Sequence, residues 1–337
     1  MKANKNIIVS VFMVTYNHGK YISQTLSSIL MQKVDFNYEI VIGEDFSTDN
    51  TRTIVKSYAK KYPDKFNLLL HKKNIGMINN FFATYKACTG KYIAYCDGDD
   101  YWTDPNKLQK QVDFLETHPD YGLVHCNFDK LFYRTGKIIH NAQKNSKLIS
   151  SSKIDTFNGL LTNQYQIATL TVLARTELLN KALNNANISE YMMLDLPMWL
   201  EMAQLTKFHY IRESVGVYRK VHGSASNDRS TYRAFIESGR RIRLDFANKY
   251  STPIELKNKL QRAYLKSLLL DAFYSKNQQL GTQYYNYMRE SNLVLNPLDR
   301  LIYLSIENKI LYAILSSFDK IKNVTIFIIK YIVRRNV

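Results

Sequence analysis

No stretch of this sequence is long and apolar enough to cross a bilayer. The strongest run, Val324 to Val333, is interrupted by Lys330 and falls short of the about 20 apolar residues that a spanning helix needs. Cysteine is scarce. There are three, Cys88, Cys96 and Cys126, an odd number without CxxC or metal-ligand spacing, so neither a disulfide framework nor a zinc site is expected. Free buried thiols in a reducing compartment account for them. A signal-peptide pattern is missing as well, because Lys2 and Lys5 lead directly into a strand-like run without a small-residue cleavage site, which predicts a cytoplasmic protein. Neither a GxGxxG fingerprint nor a Walker-A loop occurs, and there is no internal repeat, K/R-rich tract or nucleic-acid module. The net charge of +17 does not choose among its origins, because nucleic acid, an anionic membrane face and phosphorylated substrates would all produce it, and excess solvated lysine covers most of it.

What is present is a regular alternation. Ile7 to Val14 is a nearly continuous β-branched and apolar run, as a strand buried on both faces requires. Thr15-Tyr16-Asn17-His18-Gly19 breaks it with turn formers, and Ile22, Leu26, Ile29 and Leu30 then recur at helical spacing. A second strand, Tyr38 to Gly43, runs into Glu44-Asp45-Phe46-Ser47-Thr48-Asp49. There Asp49 or Thr48 is placed to cap a helix with Ile54, Val55, Tyr58 and Tyr62 along one side. Phe66 to Leu70 is a third strand, followed by the loop Lys72 to Gly76 and a helix from about Asn79 to Ala87. Repeated β-loop-α units with each polar cluster after a strand predict a mainly parallel sheet with right-handed crossovers.

Further along, Leu108, Val112 and Leu115 mark a helix closed by His118-Pro119. Tyr121 to Phe132 alternates and reads as a half-buried strand, with Val124, Cys126 and Phe128 on its inner face. Residues 134–153 read as a loop, and Ile167 to Ala174 and Phe208 to Arg219 as strands around a helical piece at Asp195 to Trp199. After about Ser226 the pattern turns to long helices. The expected organisation is an α/β domain over 1–225 and a helical region over 226–337.

The chemistry concentrates at Lys91 to Trp102, an apolar and aromatic run that ends abruptly in Asp97, Asp99 and Asp100 with Gly98 permitting a tight turn. Carboxylates this close repel one another unless a cation sits among them. Hard oxygen donors suit Mg2+ or Mn2+, which keep waters and share their remaining positions with substrate phosphates. At the carboxyl end of a parallel strand, where open α/β sheets bind ligands, such a cluster suggests a metal–diphosphate site. An Asp-Gly-Asp alone is equally an acidic surface turn.

Four motifs decide between the two. Val14-Thr15-Tyr16-Asn17, Glu44-Asp45-x-Ser47-Thr48-Asp49, Asn74-x-Gly76 and Asp97-Gly98-Asp99-Asp100, in this order and at these separations, closely resemble the family 2 glycosyltransferases over roughly residues 7–225. The resemblance implies the GT-A fold, a mixed, mainly parallel sheet flanked by helices, here with a helical C-terminal extension. It also implies an inverting transfer of a sugar from a nucleotide-diphosphate donor, assisted by Mg2+ or Mn2+. The acceptor would be a hydroxyl on a glycan or lipid-linked glycan, in capsule, lipopolysaccharide or exopolysaccharide synthesis. Carried over by position, Thr15, Tyr16 and Asn17 border the nucleotide and Asp45 receives the base. Asn74, Gly76, Asp97 and Gly98 complete the donor set, with Asp97 near the ribose. Asp99 is the metal ligand of the DxD motif, and Asp100 supports the turn. The sequence departs from the family where Met77-Ile78-Asn79-Asn80 follows Asn-x-Gly in place of an arginine-containing stretch, leaving Lys73 or Arg219 to meet the diphosphate.

The family's general base opens a downstream helix, and Asp195 in Leu194-Asp195-Leu196-Pro197-Met198-Trp199 is the best match. An inverting displacement needs a carboxylate opposite the leaving diphosphate to take the acceptor hydroxyl's proton. The same Asp is a natural helix N-cap before Pro197, and the two roles coexist. Tyr218-Arg219-x-x-His222-x-Ser224-x-Ser226 resembles the family's late segment, which implies His222 as a second metal ligand, with a surface-loop histidine as the alternative. His18, His71, His118, His125, His140 and His209 show no ligand spacing. Lys320 to Val337, closed by Arg334 and Arg335, reads either as a basic helix lying on the inner face of the plasma membrane or as a helix docked on the protein's own core. The rival to an enzyme is a non-catalytic nucleotide-sugar or glycan-binding module on the same fold, and no nucleic acid is expected as a partner.

Overall fold

The computed structural model describes residues 6–143, 153–186, 188–221, 232–291, 297–308 and 310–315; His222 and the segment 320–337 lie outside them. Strand β1 (Val9–Thr15) is buried along nearly its whole length, a pattern that only a strand covered on both faces can carry. Helix α1 (Ile22–Leu30) buries Ile22, Leu26 and Ile29, the stripe expected from the spacing. Next come β2 (Tyr38–Glu44), α2 (Thr51–Lys61), β3 (Phe66–Leu70), α3 (Met77–Lys86) and β4 (Tyr92–Tyr95). β1 pairs in parallel with β2 and β4, and β2 with β3, so three β-loop-α units do build one parallel block.

The block continues through β5 (Tyr101–Trp102), α4 (Lys107–Thr117), β6 (Tyr121–Phe132), β7 (Lys137–Ile139), α5 (Lys153–Leu161), β8 (Leu173–Arg175), α6 (Thr176–Asn185), α7 (Asp195–Leu205) and β9 (Lys207–Lys220). The sheet runs β3-β2-β1-β4-β8-β6-β9-β5, with β7 beside β6. β8 is antiparallel to β4 and to β6, which makes the sheet mixed. Its main core joins Val9, Val11, Met13, Ile40, Ile42, Tyr92 and Ala94 to α1 and to Leu108, Val112 and Leu115 of α4.

Three local expectations change. Ile167 to Ala174 is not one strand, because Thr169–Thr171 forms a 3-10 turn and only Leu173–Arg175 pairs. β7 lies within the stretch read as loop. β6 is covered on both faces as far as Phe128, where half-burial was expected. On its polar side His125 Nε2 meets Tyr165 Oη and Asn127 Oδ1 accepts the Gln143 N–H at 3.0 Å.

By contacts the chain divides into Met1–Phe235 and Ile236–Val337. The second unit is helical among its described residues, with α9 (Ile254–Ser275), α10 (Gln278–Glu290) and α11 (Pro297–Glu307) following α8 (Tyr232–Lys249). Leu265, Leu268, Leu269, Phe273, Tyr285, Met288 and Ile302 form a core of its own. No helix of the described residues is long and apolar enough to cross a membrane. The three cysteines are free, with Cys96 and Cys126 buried.

Candidate active site

The loops after β1, β2, β3 and β4 leave the same rim of the sheet, and each is tied to its neighbours. The Asp45 N–H donates to the Thr15 carbonyl at 3.1 Å, extending the β1–β2 ladder by one step. Beyond it, the Asn17 N–H donates to Ser47 Oγ at 3.0 Å, and Asn17 Oδ1 accepts the Thr48 N–H at 2.9 Å. Asn17 holds φ +57 to do so, a conformation that asparagine tolerates better than most residues. Asp49 accepts the Gly19 N–H at 2.9 Å together with the backbone and hydroxyl of Thr51. Burial opposes ionisation of Asp49, but these hydrogen bonds together hold its carboxyl below the usual range.

Asp45 is 2% exposed, and its oxygens accept the backbone N–H groups of Ile75 at 2.7 Å and Gly76 at 3.0 Å. Gly76, at φ +84, opens α3, so the carboxylate also lies at the positive end of that helix. The donor motifs Asp45 and Asn74-x-Gly76 thus meet, with Asn74 Nδ2 reaching back to the Asp45 carbonyl at 3.2 Å.

At the end of β4 the three carboxylates separate. Asp100 turns inward to 4% exposure, where Oδ1 accepts the Arg219 N–H at 2.8 Å, while its carbonyl and that of Gly98 accept from Thr25 Oγ1 of α1 at 2.6 and 3.1 Å. Burial raises the Asp100 carboxyl well above its ordinary value, and Asp99 and Asp97 add to the effect. Asp97 and Asp99 stay partly exposed. Burial pushes Asp97 up to about 7, with Asp99 and Asp195 adding their charge. A Cβ on Gly98 would lie 2.6 Å from both His18 Nδ1 and Thr15 Oγ1, so this turn needs glycine for close approach.

Asp195 reaches the same rim from α7. That helix packs on β4 through Trp199 edge-on to Tyr95 at 5.8 Å and Met198 Sδ accepting from Tyr95 Oη at 3.7 Å. Asp195 is the first residue of α7 and accepts the Leu196 N–H at 2.9 Å, but it is not the N-cap expected from the sequence, since Leu194 takes that position.

Arg219 was a candidate diphosphate contact, and the structure turns its guanidinium inward. It is 3% exposed, donates to the Asp99 carbonyl at 2.6 Å and to Gln24 Oε1, and lies 4.4 Å from the Tyr101 ring centroid. Trp102 is packed beneath the loop with Nε1 donating to the Leu170 carbonyl at 2.9 Å. His18 is the residue that sequence reasoning passed over. Its ring meets Thr15 Oγ1 at 3.1 Å and faces the charges of Asp99 and Asp49, while burial lowers its pKa. Its only sequence signal is a place three residues after Thr15 in the first rim loop.

An open, mainly parallel α/β sheet whose carboxylates gather beside backbone-braced loops has its candidate ligand site at the carboxyl ends of the strands. Residues 10–176 match the family Glycosyl transferase family 2, and this domain belongs to that family. The glucosyltransferase WfgD of Escherichia coli, named as acting from UDP-Glc on α-D-GlcNAc-diphosphoundecaprenol, is 32% identical over 173 residues, 51% of this chain and 62% of that protein. The mycobacterial relatives and EpsE of Bacillus subtilis are matched over 32 to 48% of their length, so the chain spans about a third to a half of these, whereas TuaG of Bacillus subtilis is 28% identical over 82% of its length. S. aureus TarS 1-349 in complex with UDP-GlcNAc aligns at TM-score 0.64 and 18% identity over 93% of this chain and 92% of that one. A Pyrobaculum calidifontis mannosyltransferase in complex with GDP-Man and Mn2+ aligns at 0.53 and 18% identity, covering 95% and 92%. The fold is GT-A.

Proposed function

We propose that this chain is an inverting glycosyltransferase, moving a sugar from a nucleoside-diphosphate donor to an acceptor hydroxyl during assembly of a bacterial surface polysaccharide. The observation that supports the reading is that Asp97 and Asp99 follow β4, Asp195 opens α7, and the charges of Asp99 and Asp195 both act on Asp97. Thr15, Tyr16, Asn17, Asp45, Asn74, Gly76, Asp97 and Gly98 frame the donor. Asp45 holds the Asn74–Gly76 loop in place and offers its remaining lone pairs to the base edge.

Among the described residues no three His, Cys, Asp or Glu side chains form a ready-made metal cage. The repulsion among Asp97, Asp99 and Asp195 is nevertheless what one hard cation relieves, and Mg2+ or Mn2+ takes few protein ligands when phosphates and waters supply the rest. Asp99 would hold it, with His222 as a second candidate ligand, and the ion when bound neutralises charge gathering on the departing diphosphate. Asp195 takes the proton from the acceptor hydroxyl as that oxygen bonds to the anomeric carbon and the carbon–phosphate oxygen bond breaks on the opposite face. Arg219, Thr25 and Asp100 hold the Asp97–Asp100 turn so that Asp99 stays on the cleft side. The acceptor reading rests on the lipid-linked acceptor in the name of WfgD and on the basic, apolar segment 320–337, which suits the inner face of an anionic membrane.

The test is nucleotide release from a panel of UDP-, GDP- and dTDP-sugars with Mg2+ or Mn2+. Asp99→Asn and Asp195→Asn should each lower turnover by about 100-fold or more. Full activity in both variants would overturn the assignment, and tight donor binding without turnover over any acceptor would favour the binding module. Co-sedimentation with anionic vesicles, lost on deleting 320–337, tests the membrane part.

A further inference from the structure

Two large aromatic side chains stand out at the donor rim, Tyr16 at 43% and Phe46 at 46% exposure. The register of the parallel pair brings them together, since Thr15 lies opposite Glu44 and each aromatic follows within two residues. Both sit between the same cross-links, the Asp45 N–H to the Thr15 carbonyl at 3.1 Å on one side and the Asn17 N–H to Ser47 Oγ at 3.0 Å on the other. The two loops therefore present their rings from one braced patch.

Phe46 is a large apolar side chain left exposed. Its backbone holds φ +60, a left-handed conformation that costs a bulky residue free energy and glycine almost none. Its side chain stays 46% exposed, so burial offsets that cost only in part. The Arg52 guanidinium lies over the ring at 5.2 Å and is itself fixed by Glu44 and by the His71 carbonyl at 2.6 Å. That arrangement orients a ring that remains exposed. Strained, exposed and oriented residues cluster where ligands bind.

The position says which part of a donor the ring meets. In the order β3-β2-β1-β4, the carboxylates Asp97 and Asp99 end β4, and Phe46 follows β2 on the far side of β1. Two strand spacings, about 10 Å, separate the carboxylate end from the aromatic end. A nucleoside diphosphate with its phosphates at β4 reaches the β2 end with its base. Asp45 beside the ring is 2% exposed and already accepts two backbone N–H groups, so it has only an edge contact to give. A flat base needs a face to lie on.

We propose that Phe46 is a base-stacking residue of the donor site, completing with Tyr16 an aromatic platform for the nucleobase; this rests on the nucleotide-sugar reading above. The experiment uses the full chain with Mg2+ or Mn2+ present. Calorimetry measures binding of UDP, GDP and, as a probe without a base, inorganic pyrophosphate. Loss of a base–aromatic stack corresponds to an about fivefold to 100-fold loss of affinity. Phe46→Gly should weaken the nucleoside diphosphate that the wild type binds by at least about fivefold, leave pyrophosphate binding within twofold, and raise the melting temperature by removing backbone strain. Phe46→Trp should keep or restore the affinity. Nucleoside diphosphate binding within twofold of wild type in Phe46→Gly, or an equal loss of pyrophosphate, would overturn the proposal while leaving the donor reading intact. A wild type that takes pyrophosphate but no nucleoside diphosphate would overturn the donor reading, and this proposal with it.

Discussion

Asp45→Asn asks how the Asn74–Gly76 loop is held, and the structure supplies the magnitude. The carboxylate accepts the Ile75 N–H at 2.7 Å through one oxygen and the Gly76 N–H at 3.0 Å through the other, at 2% exposure. A buried N–H left without an acceptor costs about 1–3 kcal/mol. In the variant the amide oxygen keeps the shorter bond to Ile75, and the amide nitrogen turns a donor toward Gly76. That N–H has a second acceptor, Asn74 Oδ1 at 3.1 Å, so the loss falls at the low end, about 1–2 kcal/mol. Removing a negative charge from the start of α3 adds about 0.3–1 kcal/mol. The expected total is about 2 kcal/mol, or about 4–8 °C in melting temperature for a unit of this size. In the double variant with Asn74→Ala, the Gly76 N–H loses both acceptors, and the combined loss should exceed the sum of the single ones by about 0.5 kcal/mol or more. Urea denaturation of the four proteins, with hydrogen exchange at the Ile75 and Gly76 amides, reads the outcome. An Asp45→Asn protein as stable as wild type, or strict additivity in the cycle, would refute the idea that this carboxylate holds the loop.

Three further substitutions probe other parts of the same unit. Gly98→Ala places a Cβ 2.6 Å from His18 Nδ1 and Thr15 Oγ1, so the turn must shift; turnover should fall by about tenfold to 100-fold, and an unchanged kcat would contradict the geometry. Arg219→Lys keeps a charge but not the fork that joins the Asp99 carbonyl to Gln24. If Arg219 positions the turn, kcat should fall more than donor affinity, and the reverse split would make it a direct ligand. Burial, with His209 adding, holds the His125 imidazole down at about 3, so between pH 6.5 and 3 the unfolded chain binds a proton that the folded one does not. Stability is full above pH 6.5 and is lost as pH falls toward 3, by up to about 2 kcal/mol at pH 5. His125→Phe should flatten that limb in urea denaturation, so that between pH 7 and 5 the difference from wild type moves in the variant's favour; a difference independent of pH would rule this out.

The parallel block and its rim motifs were legible in the sequence because the signals are local: apolar runs for β1 to β4, and polar clusters immediately after them. What escaped depends on partners far along the chain. β6 alternates as a half-buried strand should, yet its polar side is covered, because Tyr165 and Gln143 come back to pair with His125 and Asn127. The apolar stretch at 167–174 carries a strand's composition, but β4 is only 4 residues long and offers β8 just three pairing positions, from Tyr92 to Ala94. The surplus therefore curls into a 3-10 turn at Thr169–Thr171.

The carboxylates show the limit most sharply, since Asp97, Asp99 and Asp100 are one residue type within four positions and have different fates. Side chains on either side of a tight turn point different ways, and local sequence does not say which one faces the cleft. That choice is made by Arg219, 120 residues from Asp99, whose backbone N–H takes the Asp100 carboxylate inward and whose guanidinium is closed off by Gln24 and Tyr101. Thr25 pulls on the same turn from α1, through the carbonyls of Gly98 and Asp100. With Asp100 held inside at 4% exposure, Asp97 and Asp99 are left partly exposed, and the charge of Asp195 acts on Asp97. The separation of the buried Asp100 from the partly exposed Asp97 and Asp99 is therefore set by the groups that grip the turn, Arg219 among them.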